Sequence, residues 1–130
     1  MGLDNWISIK HNENTPKCVA RCFKKSYDGY EYEVAYWRKC WNVREIIFRT
    51  VERYTEENRE CEITLTRDDV VKIIKKLQSL TEDTYNSRGG CIWGWKDFRR
   101  INRRNIRALK KLSWIMLWHW DLEVYFYDSY

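Results

Sequence analysis

Hydrophobic residues in the first third of the chain recur with the spacing of β-strands. They are found over residues 6–9, again over residues 18–23, and then at alternate positions over residues 30–37. Alternation with a period of two places successive side chains on opposite faces of a sheet. Pro16 and the turn sequence Ser-Tyr-Asp-Gly at 26–29 separate the three segments. The pattern therefore predicts three strands.

The hydrophobic period then changes to that of α-helices. Apolar residues share one helical face from residue 40 to residue 56, which predicts a first helix there. Thr66 followed by Asp69 has the spacing of a capping box, and the apolar positions after it repeat at helical spacing up to Leu80. A third helix is predicted from Asp97, as N-cap, to about Trp118.

Shorter segments complete the prediction. Residues 61–65 and 122–127 alternate and predict two further strands, whereas residues 81–96 predict a long irregular connection. The expected fold is α+β, with a small, mostly antiparallel sheet and three helices packed on it. A length of 130 residues is that of a single globular domain, over 1–130.

Composition narrows the chemical possibilities. The five cysteines are an odd number without a secretory context, so we expect free, buried thiols. Because His11 and His119 lie apart from the Cys18–Cys22 pair in the sequence, we expect no metal site. The longest apolar run, residues 114–118, is far too short to span a bilayer. We therefore expect a cytoplasmic protein, without a membrane partner, a cofactor or a catalytic signature.

The most informative segment is a basic one at 96–111. It has eight basic residues against the single acid Asp97, a net charge of +7 in a chain of net +5. On a helical wheel the basic residues fall within about 140°, opposite the apolar positions, and Trp114 and Trp118 continue the basic side. The basic residues are Lys96, Arg99, Arg100, Arg103, Arg104, Arg107, Lys110 and Lys111.

Cations beside flat aromatic rings are typical of nucleotide and single-stranded nucleic-acid sites. A basic helical face is, however, more often solvated, or paired with acidic residues such as those of the stretch 52–62. Trp93 and Trp95 stand in a glycine-containing loop at 89–95 that would suit a lid over a flat ligand. The alternative is that these two indoles fill gaps at the edge of the domain.

Two short boxes resemble a known group of proteins. The chain opens M-G-L-D, and residues 33–39 read E-V-A-Y-W-R-K. In these boxes the chain resembles a widespread group of small uncharacterised phage and prophage proteins. Tyr36, Trp37, Arg38 and Lys39 lie where a strand gives way to a helix, a position suited to anions, although Trp37 would equally serve the core.

The resemblance implies a phage-type accessory protein that counters host defence by binding. The leading hypothesis is a non-enzymatic sponge for a nucleotide-type immune signal, in which aromatic residues stack on a base, basic residues meet phosphates, and a homo-oligomer encloses the ligand. Two alternatives stay open: a protein-binding inhibitor of a host defence nuclease, of the anti-CRISPR type, and direct nucleic-acid binding through residues 96–111. The candidate ligand-binding residues are Tyr36, Trp37, Arg38, Lys39, Trp93, Trp95, Arg99, Arg103, Arg107 and Trp114.

Overall fold

The computed structural model describes residues 4–51, 62–87 and 93–129, with five strands and five helices in those ranges. The strands are β1 (Asp4–Lys10), β2 (Lys24–Lys25), β3 (Glu31–Arg38), β4 (Ile63–Thr64) and β5 (Val124–Ser129). The helices are α1 (Lys17–Cys22), α2 (Trp41–Thr50), α3 (Arg67–Gln78), α4 (Glu82–Ser87) and α5 (Trp95–Trp118).

The strands form one sheet in the order β2-β3-β1-β5-β4, and each neighbouring pair is antiparallel. The central strand β1 pairs Trp6 with Tyr36 of β3 and with Tyr127 of β5. A register shift between Ile7 and Ser8 marks a bulge in the β1–β3 pair. The antiparallel sheet and the helices confirm the predicted α+β class.

The core lies between one face of the sheet and the long helix α5. Ile7, Ile9 and Trp37 are fully buried and point to this face from β1 and β3. Helix α5 contacts β3, and α3 packs against both α5 and α2. The side chain of Asn105 ties helix to sheet, because its Nδ2 donates a hydrogen bond to the Tyr36 carbonyl oxygen at 2.8 Å.

Several predicted elements are confirmed, and the clearest is the start of α3. Thr66 is its N-cap, and Thr66 and Asp69 form a reciprocal capping box. The strand predicted over 30–37 is β3, and the helix predicted from residue 40 begins at Trp41. That helix ends at Thr50, because Val51 is extended. The rest of the predicted helix, residues 52–56, lies outside the described residues.

Other predicted elements are wrong. The segment 18–23 is mostly the short helix α1, which begins after Pro16 and buries Val19, so its apolar residues do not alternate across a sheet. The connection predicted as irregular contains α4. Thr81 directly precedes this helix, and the hydroxyl oxygens of Thr81 and Thr84 each accept a hydrogen bond from the other's backbone N–H. Helix α5 begins at Trp95, and its N-cap is Gly94, three residues before the predicted N-cap Asp97.

The cysteines also depart from the prediction of free, buried thiols. Cys18 and Cys22 are free, but Cys18 is half-buried and Cys22 is exposed. Cys40 is disulfide-bonded and fully buried. The prediction is therefore wrong for Cys40, because an odd number of cysteines leaves room for a pair that the fold brings together. Cys61 and Cys91 lie outside the described residues.

Candidate functional site

Helix α5 has a buried face and a basic face, as its sequence predicts. Phe98, Leu109 and Leu112 are fully buried against the core. The eight basic residues predicted to form a ridge are all exposed. A helix of 24 residues is about 36 Å long. The basic ridge runs along residues 96–111 of this helix, which is more than half of its length.

A groove of about 640 Å³ runs beside the first four turns of α5. One wall is α5 itself, and the other is made by the end of α3 and the start of α4, including Leu77, Leu80, Thr81 and Glu82. This volume lies within the usual range for small-molecule sites. The residues that α5 contributes are Trp95, Arg99, Asn102, Arg103, Ile106, Arg107 and Lys110.

The groove is strongly cationic. Its lining includes four basic side chains, those of Arg99, Arg103, Arg107 and Lys110, and a single carboxylate, that of Glu82. No carboxylate of the described residues forms an ion pair with Arg99, Arg103 or Arg107. Outside the groove, by contrast, Arg100 lies 3.9 Å from Asp97. The cations that line the groove are thus available to an anionic ligand.

Trp95 is the aromatic residue of the groove lining, and two further aromatic rings pack against it. Its ring lies 5.4 Å from Tyr85 and 6.1 Å from Phe98, centroid to centroid. The Tyr85 hydroxyl in turn donates a hydrogen bond to the Trp93 carbonyl oxygen at 2.5 Å, and burial raises the pKa of Tyr85. The buried Tyr85 ring therefore packs against the Trp95 indole, which remains half-exposed and lines the groove.

Asn102 lies at the buried side of the groove. Its Nδ2 donates to the Leu77 carbonyl oxygen at 3.2 Å, at the carboxyl end of α3. Its Oδ1 is buried and has no hydrogen-bond partner. Because a buried polar atom without a partner costs free energy, this oxygen is an uncommon feature of a groove wall.

A second, smaller depression of about 480 Å³ adjoins the groove on the outer side of α5. It shares Arg99, Arg103 and Arg107 with the groove. Lys96, Arg100 and Arg104 complete it. The positive surface is therefore continuous from the groove around to the solvent side of the helix.

The structure separates the candidate residues of the 33–39 box from this groove. Trp37 is fully buried in the core and so cannot stack on a ligand, which favours its alternative interpretation as a core residue. Tyr36 and Arg38 alternate with Trp37 and so point to the other face of the sheet. There the Tyr36 hydroxyl donates to Asp4 at 3.1 Å, and its ring lies 5.4 Å from Trp6. Lys39 has a positive φ of 53° at the turn into α2.

The remaining candidate tryptophans also lie apart from the groove lining. Trp93 is half-buried and packs against the core, which favours the gap-filling interpretation, while residues 89–92 of the predicted lid lie outside the described residues. Trp114 is 63% exposed at the far end of α5, near Leu117 and the exposed Trp118. Of the ten candidates, the structure brings Trp95, Arg99, Arg103 and Arg107 together in one place.

The acidic stretch proposed as a partner of the basic ridge is described only at Glu62. That carboxylate pairs with Lys10 of β1, at 2.9 Å, and not with α5. The other four acids, Glu52, Glu56, Glu57 and Glu60, lie outside the described residues. The described part of the chain thus gives the ridge no acidic partner from this stretch.

On the face of the sheet that carries Tyr36, aromatic rings cover the central strands. Trp6 stacks on Tyr127 at 4.9 Å, and Tyr127 lies 5.7 Å from Tyr125. Burial, followed by the nearby Glu31 carboxylate, raises the pKa of Tyr127 to about 12. Burial also raises the pKa of Glu31. This face therefore combines aromatic rings with the Glu31 carboxylate, whereas the groove combines an aromatic ring with several cations.

Two further properties bear on the kind of site. In the described ranges, no group of three or more His, Cys, Asp or Glu side chains is arranged to hold a metal ion. None of the described helices combines the length and the apolar character that crossing a membrane requires.

Asn102 and the wall formed by α3 and α4 were missed by reasoning from the sequence. The signal for Asn102 was present, because an amide among the apolar positions of an amphipathic helix needs a hydrogen-bond partner. The wall could not be predicted, because it depends on how α3, α4 and α5 pack.

Comparison with known proteins gave no match among family models, curated proteins or solved structures. The resemblance of the two sequence boxes to phage proteins therefore stays a prediction.

Proposed function

We propose that this protein binds a nucleotide-type ligand in the groove beside α5 and acts by sequestering it, without chemical conversion. The supporting observation is the joint placement of Trp95, three arginines and Lys110 around about 640 Å³. An aromatic face suits a base, and guanidinium groups suit phosphate oxygens, which they bind with two parallel hydrogen bonds. The phage origin of the protein and an immune signal as ligand are parts of the proposal that rest on the sequence boxes.

The distribution of polarity in the groove supports a nucleotide over a simple anion. On the wheel of α5, Trp95, Asn102 and Ile106 lie close to the buried face, whereas Arg103 and Arg107 lie farther round towards solvent. Burial agrees, since Asn102 is buried, Trp95 and Ile106 are half-buried, and the arginines are exposed. A base would thus occupy the inner side and phosphates the outer rim.

Isothermal titration calorimetry of matched variants tests this proposal. Arg103→Gln removes a cation from the groove, whereas Arg100→Gln makes the same change in charge on the same helix outside it. Losing one charge-assisted hydrogen bond of about 1.5–3 kcal/mol weakens binding by about 10- to 150-fold. We expect that loss for Arg103→Gln and a change of no more than about twofold for Arg100→Gln, whose charge is screened by solvent.

The ligands for this titration are a panel of cyclic nucleotides, ADP-ribose derivatives and nucleoside triphosphates. Mass analysis of the ligand recovered after denaturation shows whether it is unchanged, as sequestration requires. Absence of binding to every member of the panel, or equal losses in both variants, would contradict the proposal.

Direct nucleic-acid binding is a second candidate, favoured by the continuous depression that adds Lys96, Arg100 and Arg104 to the groove cations. Neutralising several phosphates releases counterions, so affinity for a single strand would fall steeply and linearly in log K against log salt. A single nucleotide in the groove contacts fewer phosphates and gives a shallower slope. In this case Arg100→Gln and Arg103→Gln would weaken binding equally.

A further inference from the structure

Asn102 combines burial, an unsatisfied atom and a position in the groove. The residue is 6% exposed and lines the groove beside Ile106. Its amide nitrogen is committed to the Leu77 carbonyl, so the orientation of the amide group is determined. The reversed orientation would place two oxygens against each other. Oδ1 is therefore a hydrogen-bond acceptor that the protein itself leaves without a donor.

The neighbouring asparagine shows that such an atom is not a general property of α5. Asn105 is buried to a similar extent and uses its Nδ2 on the Tyr36 carbonyl. Its side-chain oxygen is not among the buried atoms without a partner. Asn105 does not line the groove. The unsatisfied acceptor thus belongs to the asparagine that lines the groove, and not to its buried neighbour on α5.

The surroundings of Asn102 define which donor it would meet. Trp95 precedes Asn102 by seven residues, which is about two turns and 10 Å along the same face of the helix. Helical side chains lean towards the N-terminus, so the Asn102 amide leans towards Trp95. A ring stacked on Trp95 would have its edge near Oδ1, while phosphates reach Arg99 and Arg103 on the rim.

We propose that Asn102 is a specificity-determining residue, whose Oδ1 accepts a hydrogen bond from the exocyclic amino group of a purine nucleotide bound in the groove. A purine offers the larger face for stacking on Trp95, and its amino group supplies the donor that the protein lacks. Oδ1 is buried in the structure without ligand, so the amino group reaches it only if neighbouring side chains of the groove lining move. The inference rests on the proposed function and names its ligand class.

The test compares nucleotides that differ by one amino group. ATP is titrated against purine riboside triphosphate, which lacks the 6-amino group, and GTP against ITP, which lacks the 2-amino group. Inorganic tripolyphosphate serves as the probe for the cationic rim alone. We expect the wild-type protein to prefer the amino form of at least one pair by about 3- to 10-fold, the range for one neutral hydrogen bond.

The variant Asn102→Leu keeps the volume of the side chain and removes the acceptor. We expect it to lose the preference between the paired nucleotides and to bind tripolyphosphate as the wild type does. Asn105→Leu is the matched control, because it also removes a buried side-chain hydrogen bond to a carbonyl, but outside the groove. It should be destabilised similarly and should retain the preference.

Each outcome has a distinct meaning. If the wild type binds tripolyphosphate and both members of each pair equally, the cationic site stands and the role of Asn102 is refuted. The same conclusion follows if Asn102→Leu keeps the preference, or if Asn105→Leu loses it as well. If the wild type binds none of these anions, the proposed function fails, and this inference fails with it.

Discussion

A buried ion pair between α2 and β5 gives the most quantitative prediction about stability. Asp128 accepts a hydrogen bond from Nε of Arg44, and the two side chains are 3% and 11% exposed. The Arg44 guanidinium also lies over the ring of Phe48, 4.2 Å from its centroid. Asp128→Asn keeps the size of the side chain and removes the carboxylate charge that faces the Arg44 guanidinium.

Removing one partner of a buried pair costs about 3–5 kcal/mol, because the charge of the other partner stays buried without that counter-charge. For a chain of 130 residues, the unfolding entropy is on the order of 0.27 kcal/mol/K. The melting temperature of Asp128→Asn should therefore fall by about 11–18 °C. Thermal unfolding followed by circular dichroism, together with urea titration, measures both quantities.

The matched control is Glu45→Gln, which breaks the exposed pair of Glu45 with Arg49, 2.7 Å apart on the same helix. Exposed pairs contribute about 0–1 kcal/mol, so the expected shift is no more than about 4 °C. The double variant Arg44→Leu with Asp128→Leu should recover part of the loss, because neither charge of the pair then remains buried. If Asp128→Asn and Glu45→Gln melt at the same temperature, this reasoning about burial is refuted.

Three further predictions concern a helix cap, a phenol and an indole. Thr66→Ala removes the N-cap of α3 and should lower the free energy of unfolding in urea by about 1 kcal/mol; an unchanged value would contradict the role of the capping box. Because the folded pKa of Tyr127 is raised to about 12, its contribution to stability is present below pH 10 and is lost as pH rises from 10 to 12. Urea titrations should thus show a smaller alkaline decline for Tyr127→Phe than for the wild type, and an identical decline would contradict the assignment. Trp95→Leu should weaken nucleotide binding about 5- to 150-fold by calorimetry while tripolyphosphate binding stays constant, because base stacking contributes about 1–3 kcal/mol; equal losses for both ligands would exclude stacking.

Local periodicity explains why much of the fold could be predicted. The alternation that leads into β3 and the helical spacing after Thr66 reflect side chains that must face one core. The amphipathic wheel of α5 predicted both its buried face and its exposed basic residues. These features depend on neighbours within one element, which a sequence displays directly.

The errors arise where packing between distant elements decides the outcome. The apolar residues at 18–23 suit a strand or a helix equally, and burial of Val19 selects α1. The sequence predicts one site for Tyr36, Trp37 and Arg38, but strand alternation places Tyr36 and Arg38 on the face opposite the core. The disulfide at Cys40 and the α3–α4 wall of the groove likewise depend on contacts that no single segment contains.

Native mass spectrometry of the wild-type protein with the nucleotide panel tests the central claim most directly. Our account predicts one purine nucleotide bound per chain, retained at about 0.3 M ammonium acetate and released unchanged on denaturation, because salt screens the phosphate contacts on the rim but not the stacking of the base. A spectrum without a nucleotide adduct for any member of the panel would contradict it.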